Sequence, residues 1–174
     1  MQPLTLSHIL PYFVEYHRQT GHSVDLLLVG GLALQAYGYS DRATVDIDGE
    51  LIGEFESLLD FLHKKQIPAD LSENFSGWSI VAMPPGYRDR SSVWHEDAGI
   101  RLRLLHPVDF IVSKLRRGTD QDLQDAHYVV RRFGIDKFSI VAAVERAITA
   151  SPKDTAIYLF KKSVENFLNQ LDPE

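Results

Sequence analysis

The sequence predicts a mixed α/β fold: a mixed sheet flanked by helices, followed by a helical C-terminal part. Three observations carry this. A short apolar run, Asp25-Leu26-Leu27-Leu28-Val29, stops at Gly30-Gly31 and passes at once into a helical pattern. Further strand-like segments recur as far as Leu105. Beyond His106 only helical periodicity remains. The predicted organisation is an α/β core over residues 1–105 and a helical part over 106–174 packed on it.

Taken in order, residues 4–19 predict an amphipathic helix, with Leu6, Ile9, Leu10, Phe13 and Val14 at helical spacing. Pro11 is expected to kink or divide it, and Gly21 to end it. Asp25 to Val29 is short, apolar and bounded, as a buried strand is. Leu32 to Tyr37 starts a helix. In Thr44-Val45-Asp46-Ile47-Asp48, strand alternation would put Thr44, Asp46 and Asp48 on one face, with Val45 and Ile47 towards the core. Glu54 to Lys65 predicts a helix, and Ile67 to Leu71 leads out of it. Trp78 to Met83 is strand-like, and Pro84-Pro85-Gly86-Tyr87 a turn. Ser91 to His95 and Ile100 to Leu105 predict a strand pair joined through Glu96-Asp97-Ala98-Gly99, with Arg101 and Arg103 on one face. His106-Pro107 opens a helix carrying Lys114. Thr119 or Asp120 caps the next helix, where Asp122 and Asp125 lie three apart. Ile135 to Thr149 and a last helix, from Ser151-Pro152 to about Leu171, complete the chain.

Composition narrows the function. The chain has 174 residues, 44% hydrophobic and 24% charged, which is ordinary for a soluble globular protein. It has no cysteine, so disulfides, thiolate metal sites and cysteine nucleophiles are excluded. No apolar run approaches a membrane span and the first residues do not form a signal peptide, so a cytoplasmic protein is expected. A net charge of −6 argues against strong non-specific DNA binding.

Chemistry concentrates at the glycines and the two acids that follow. Strand, glycines and helix N-terminus form a phosphate-binding arrangement, although a lone Gly-Gly more often serves only a tight turn. Neither a dinucleotide fingerprint nor a P-loop is present. Asp46 and Asp48, two apart on a strand face, would stand about 7 Å apart. A Mg²⁺ ion can lie between such carboxylates and complete its shell with phosphate oxygens and water. Arg42, just before them, would contact a phosphate or pair with Asp41. Tyr87, Arg88 and Arg90 would meet a base or phosphate, or belong to a solvated loop. His127 has no second histidine at a ligand spacing and is expected to be structural.

Gly30-Gly31-Leu32-Ala33-Leu34 followed by Asp46-Ile47-Asp48 resembles the first two motifs of the nucleotidyltransferase superfamily, closest to its minimal AbiEii-like toxin branch. Pro107 to Leu115, with Lys114, and then Asp122-Leu123-Gln124-Asp125 resemble a third segment. The resemblance covers most of residues 24–130. It implies Mg²⁺ held by Asp46 and Asp48, with an NTP at Gly30, Gly31, Arg42 and Lys114. It also implies catalytic roles for Asp46, Asp48, Lys114, Asp122 and Asp125. The acceptor would be a tRNA or a protein, and the enzyme the toxin of a pair with an antitoxin protein. Lys114 is equally read as a lysine whose stem lies along an amphipathic helix. The sequence departs from the family on Arg101-Leu102-Arg103-Leu104, which carries no third carboxylate. Asp70, Asp89 and Asp97 are candidates without a predicted strand around them. Two alternatives stand beside the transferase. One is a catalytically inactive module of the same fold that binds nucleotide or a protein. The other is a Mg²⁺-dependent phosphohydrolase.

Overall fold

Alternation along the strands decides which side chains meet. The computed structural model describes residues 3–171 and shows a mixed α/β fold, with one five-stranded mixed sheet, seven helices and a helical C-terminal part. The chain forms two units, residues 1–75 with 91–105, and residues 76–90 with 106–174. No helix among the described residues is long and apolar enough to cross a membrane.

The first unit holds α1 (Leu6–Thr20), β1 (Val24–Leu28), α2 (Gly31–Ala36), β2 (Ile47–Ile52), α3 (Phe55–Lys64), β3 (Ala69–Ser72), β4 (Ser92–Asp97) and β5 (Ile100–Leu104). The strand order is β3-β2-β1-β5-β4. β1 runs parallel to β5 and antiparallel to β2, β2 runs parallel to β3, and β4 runs antiparallel to β5. Register sets Leu26 and Leu28 beside Leu51, Gly49, Leu102 and Leu104, making one apolar face. Ile9, Phe13 and Tyr16 of α1 and Leu58, Phe61 and Leu62 of α3 are buried in the same core. Each such side chain contributes roughly 1.5–3 kcal/mol of burial. The opposite face carries Asp25, Asp48, Glu50, Asp70, Arg101 and Arg103. There Asp25 accepts from Nε of Arg103 at 2.7 Å, which neutralises the arginine within the sheet.

Several expectations change. Pro11 does not divide α1: the helix runs unbroken through it, with the ring on the exposed side. Thr5 caps its start, and Gly21, at φ 76°, closes its end. The segment after Ile67 is a strand, β3, held in parallel register by β2. The β4–β5 connection is only Ala98-Gly99, both at positive φ, as a two-residue hairpin turn requires.

The second unit holds α4 (Pro107–Arg117), α5 (Asp120–Phe133), α6 (Lys137–Ala150) and α7 (Thr155–Gln170), with the segment 76–90. The strand expected over Trp78 to Met83 is absent. Its amides are taken by hydroxyls instead: Val81 N–H donates to Ser79, Ala82 N–H to Ser151 and Met83 N–H to Ser76. α7 begins later than expected, because Asp154 rather than Ser151 caps it. Ser151 Oγ donates back to the carbonyl of Ala147.

Candidate active site

The site is built where β1 gives way to α2. Neither Gly30 nor Gly31 has a positive φ, so what these positions require is space rather than an unusual backbone angle. A Cβ on Gly30 would lie 1.9 Å from Oδ2 of Asp48, and one on Gly31 would lie 2.6 Å from Cβ of Thr44. The glycines thus let the turn sit directly against the acidic segment. Val29 N–H donates to the carbonyl of Asp48 at 3.2 Å and fixes that approach.

The acidic segment is less regular than alternation predicts. β2 starts only at Ile47, so Asp48 is a strand residue and Asp46 lies in the bend before it. Thr44 is buried and Val45 is exposed, the reverse of the expected order. The cause is local bonding. Thr44 Oγ1 donates to the carboxylate of Asp46 at 3.1 Å, and the Thr44 carbonyl accepts from Leu4 N–H. Such short-range bonds compete with a strand ladder. Asp46 and Asp48 are both half-buried. Arg42 donates from Nη1 to the carbonyl of Ala43, while its own carbonyl is held by the side chain of Gln35 on α2.

Two more acids join this face. Asp70 on β3 is the register partner of Asp48 and is exposed. The strand context that its sequence did not reveal is supplied by β3. Glu50, two residues beyond Asp48, is 1% exposed, and its Oε2 accepts from Phe75 N–H at 2.7 Å. Sequence reasoning passed over Glu50. The period-two continuation of Asp46 and Asp48 was the available signal.

Lys114, Asp122 and Asp125 belong to the second unit, where they form a buried network. Lys114 is 6% exposed, with Nζ 2.9 Å from Oδ2 of Asp125 and 3.5 Å from Oδ1 of Asp122. Thr119 caps α5 in a reciprocal capping box with Asp122. Arg117 adds a two-pronged bond to the same carboxylate, 2.7 Å from each nitrogen. Burial opposes the charge on Asp122. The bonds from Arg117 and Thr119, with the charges of Lys114 and Arg117, outweigh it and bring its pKa from 3.8 to about 2.

The loop residues expected to meet a base or phosphate have other uses. Arg90 donates from Nε and Nη2 to Asp109, which is 1% exposed, and also to the carbonyls of Pro84 and Pro85. Tyr87 is buried and Arg88 lies over its ring. This loop is a fixed part of the second unit. Arg116 is bonded to the Ser76 carbonyl, and burial brings its pKa down to about 10.

A family model described as a nucleotidyltransferase of unknown function (DUF6036) matches residues 11–170. The chain belongs to this family. The match spans both units and places the glycine turn, both aspartates and the Lys114 network inside one nucleotidyltransferase family. It does not extend to the AbiEii-like branch. No curated protein and no solved structure matches the chain.

Proposed function

We propose that this nucleotidyltransferase moves a nucleoside monophosphate from an NTP to a hydroxyl on a tRNA or protein, with pyrophosphate leaving. The carrying observation is the contact of the glycine turn with Asp48, which leaves no room for a Cβ between them. Backbone amides of Gly30 and Gly31 would bind the triphosphate beside the carboxylates, and Arg42 would pair with its charge.

The donor set suits Mg²⁺. Among the described residues no three carboxylate or imidazole groups gather to hold a metal. Asp46 and Asp48 offer a pair of hard oxygen donors, the kind of set Mg²⁺ uses when phosphates and water fill its other positions. When bound, the ion would offset charge developing on the transferred phosphoryl group.

Asp70 is assigned as the base that takes the proton from the acceptor hydroxyl. It is exposed, as a group that meets an incoming acceptor must be, and it neighbours Asp48 across the β2–β3 pair. This acid, absent from Arg101-Leu102-Arg103-Leu104, favours an active enzyme over an inactive module. Glu50 is committed to Phe75 and supports β2.

Lys114, Asp122 and Asp125 are assigned the role of tying α4 to α5 within the second unit. An ammonium held by two buried carboxylates would have to leave both before it reached a triphosphate. A toxin role under control of an antitoxin rests on the AbiEii-like resemblance. Charge bears on the acceptor: the sheet unit has thirteen acidic against six basic residues, and the helical unit twelve basic against eleven acidic. A tRNA would therefore depend on the second unit for neutralisation.

The test incubates the protein with Mg²⁺, α-labelled NTPs, tRNA and total cell protein. Label moving to an acceptor with release of pyrophosphate is the expected result. Release of inorganic phosphate without labelling would make the protein a phosphohydrolase.

A further inference from the structure

We propose that the outer face of α6 and α7 is a homodimer interface, with a second copy of this chain as its occupant. The face is apolar and unusually open. Phe138 is 82% exposed and Tyr158 68% exposed. Between the helices lies a groove of about 330 Å³, floored by Val144 and Val164 and flanked by Val141, Ile148 and Leu168, with Lys161, Glu165, Glu145 and Asn169 along its rim. Single exposed apolar residues are ordinary, but Phe138 stands one helical turn before Val141 and Tyr158 one turn before Lys161, and exposed aromatics set beside a groove mark an interaction site.

The choice of a second copy comes from the pattern along α7. Tyr158, Lys161, Glu165 and Leu168 follow one another at spacings of three, four and three, so they share one helix face. Read in either direction from Ser163, the stripe runs from charge to apolar, with a cation on one side and an anion on the other. An isologous two-fold contact needs a patch complementary to itself. Two antiparallel copies of α7 crossing at Ser163 would set Tyr158 against Leu168 of the second copy. They would also set Lys161 against Glu165 of the second copy, twice over by symmetry. Within one chain these charges are not used on each other. Among the described residues no ion pair engages Lys161 or Glu165, and lysine N-terminal to glutamate is the weaker order for an intrahelical pair. α7 is sixteen residues long, about 24 Å. A contact of that length lies at the small end of specific interfaces, so the dimer is expected to dissociate on dilution.

The experiment is sedimentation velocity of the full chain over an approximately hundredfold range of concentration. The sedimentation coefficient is expected to rise from monomer to dimer across that range. Lys161→Glu alone, or Glu165→Lys alone, puts like charges together at both symmetry-related positions and is expected to leave monomer throughout. The double variant Lys161→Glu with Glu165→Lys restores opposite charges and is expected to restore the dimer, which no general structural damage would do. Wild-type protein that stays monomeric at every concentration overturns the proposal and leaves the face to a different protein. Single reversals that dimerise like wild type, or a double variant that stays monomeric, overturn it as well.

Discussion

Replacing Gly30 with alanine probes the site at its closest contact. The new Cβ would stand 1.9 Å from Oδ2, 2.6 Å from Cγ and 2.7 Å from Cβ of Asp48. The carboxylate oxygen can swing aside, but the Asp48 Cβ is fixed to β2. Ordinary contact begins near 3.4 Å, so turn and strand must separate by about 0.7 Å. Overpacking of this kind costs about 1–3 kcal/mol. At about 2 kcal/mol, Tm is expected to fall by roughly 4–8 °C for a chain of this size. The separation also moves the amides away from the carboxylate, and a shift near 1 Å in a positioned group costs up to about a hundredfold. Calorimetry should therefore show weaker Mg²⁺–NTP binding than wild type, and initial rates a loss of up to about a hundredfold, at a temperature where the variant is folded. Gly21→Ala is the control. Its φ is 76° with nothing within 4 Å of the new Cβ, so stability falls while binding is unchanged. A Gly30→Ala protein that melts and binds like wild type would refute the reasoning.

Other outcomes follow from the same geometry. Asp70→Asn is expected to cut turnover about a hundredfold or more while Mg²⁺–NTP affinity stays constant, measured by initial rates and calorimetry. Equal loss of both would remove it from the role of base. Lys114→Met removes the ammonium 2.9 Å from the buried Asp125, while Asp122 keeps Arg117 and Thr119, and is expected to cost about 3 kcal/mol in denaturant unfolding. Asp122 has a depressed folded pKa, so its contribution is fully present above about pH 4 and is lost as pH falls towards about 2. That contribution is up to about 2 kcal/mol, and Asp122→Asn should flatten this part of the acid unfolding curve.

What the sequence revealed depended on how local the cause was. β1, the glycine turn and α2 were legible because an apolar run, two glycines and a helical pattern follow one another directly. The helix starts at His106-Pro107 and Thr119 were legible too, because each is encoded within a few residues, whereas the cap at Thr5 was passed over. β3 was not legible. Ala69-Asp70-Leu71-Ser72 has little strand character of its own, and pairing with β2 makes it a strand. With β3 hidden, Asp70 had no visible neighbour. The segment from Trp78 to Met83 failed in the opposite sense. It has strand-favouring residues, but serines at positions 76, 79 and 151 take its amides. At Asp46 the alternation was overridden by the bond from Thr44. Lys114 looked like a surface lysine or a phosphate ligand because its carboxylate partners lie on the next helix, at positions 122 and 125.

The central claim is a Mg²⁺-dependent nucleotide site at the glycine turn, Asp46 and Asp48. Isothermal titration of the full chain with each of the four NTPs, with and without Mg²⁺, tests it most directly. Asp46→Ala and Asp48→Ala are titrated beside wild type. Binding of at least one NTP that needs both the metal and the two aspartates is the expected result. No binding by wild type, or binding that survives loss of both aspartates, would contradict the claim.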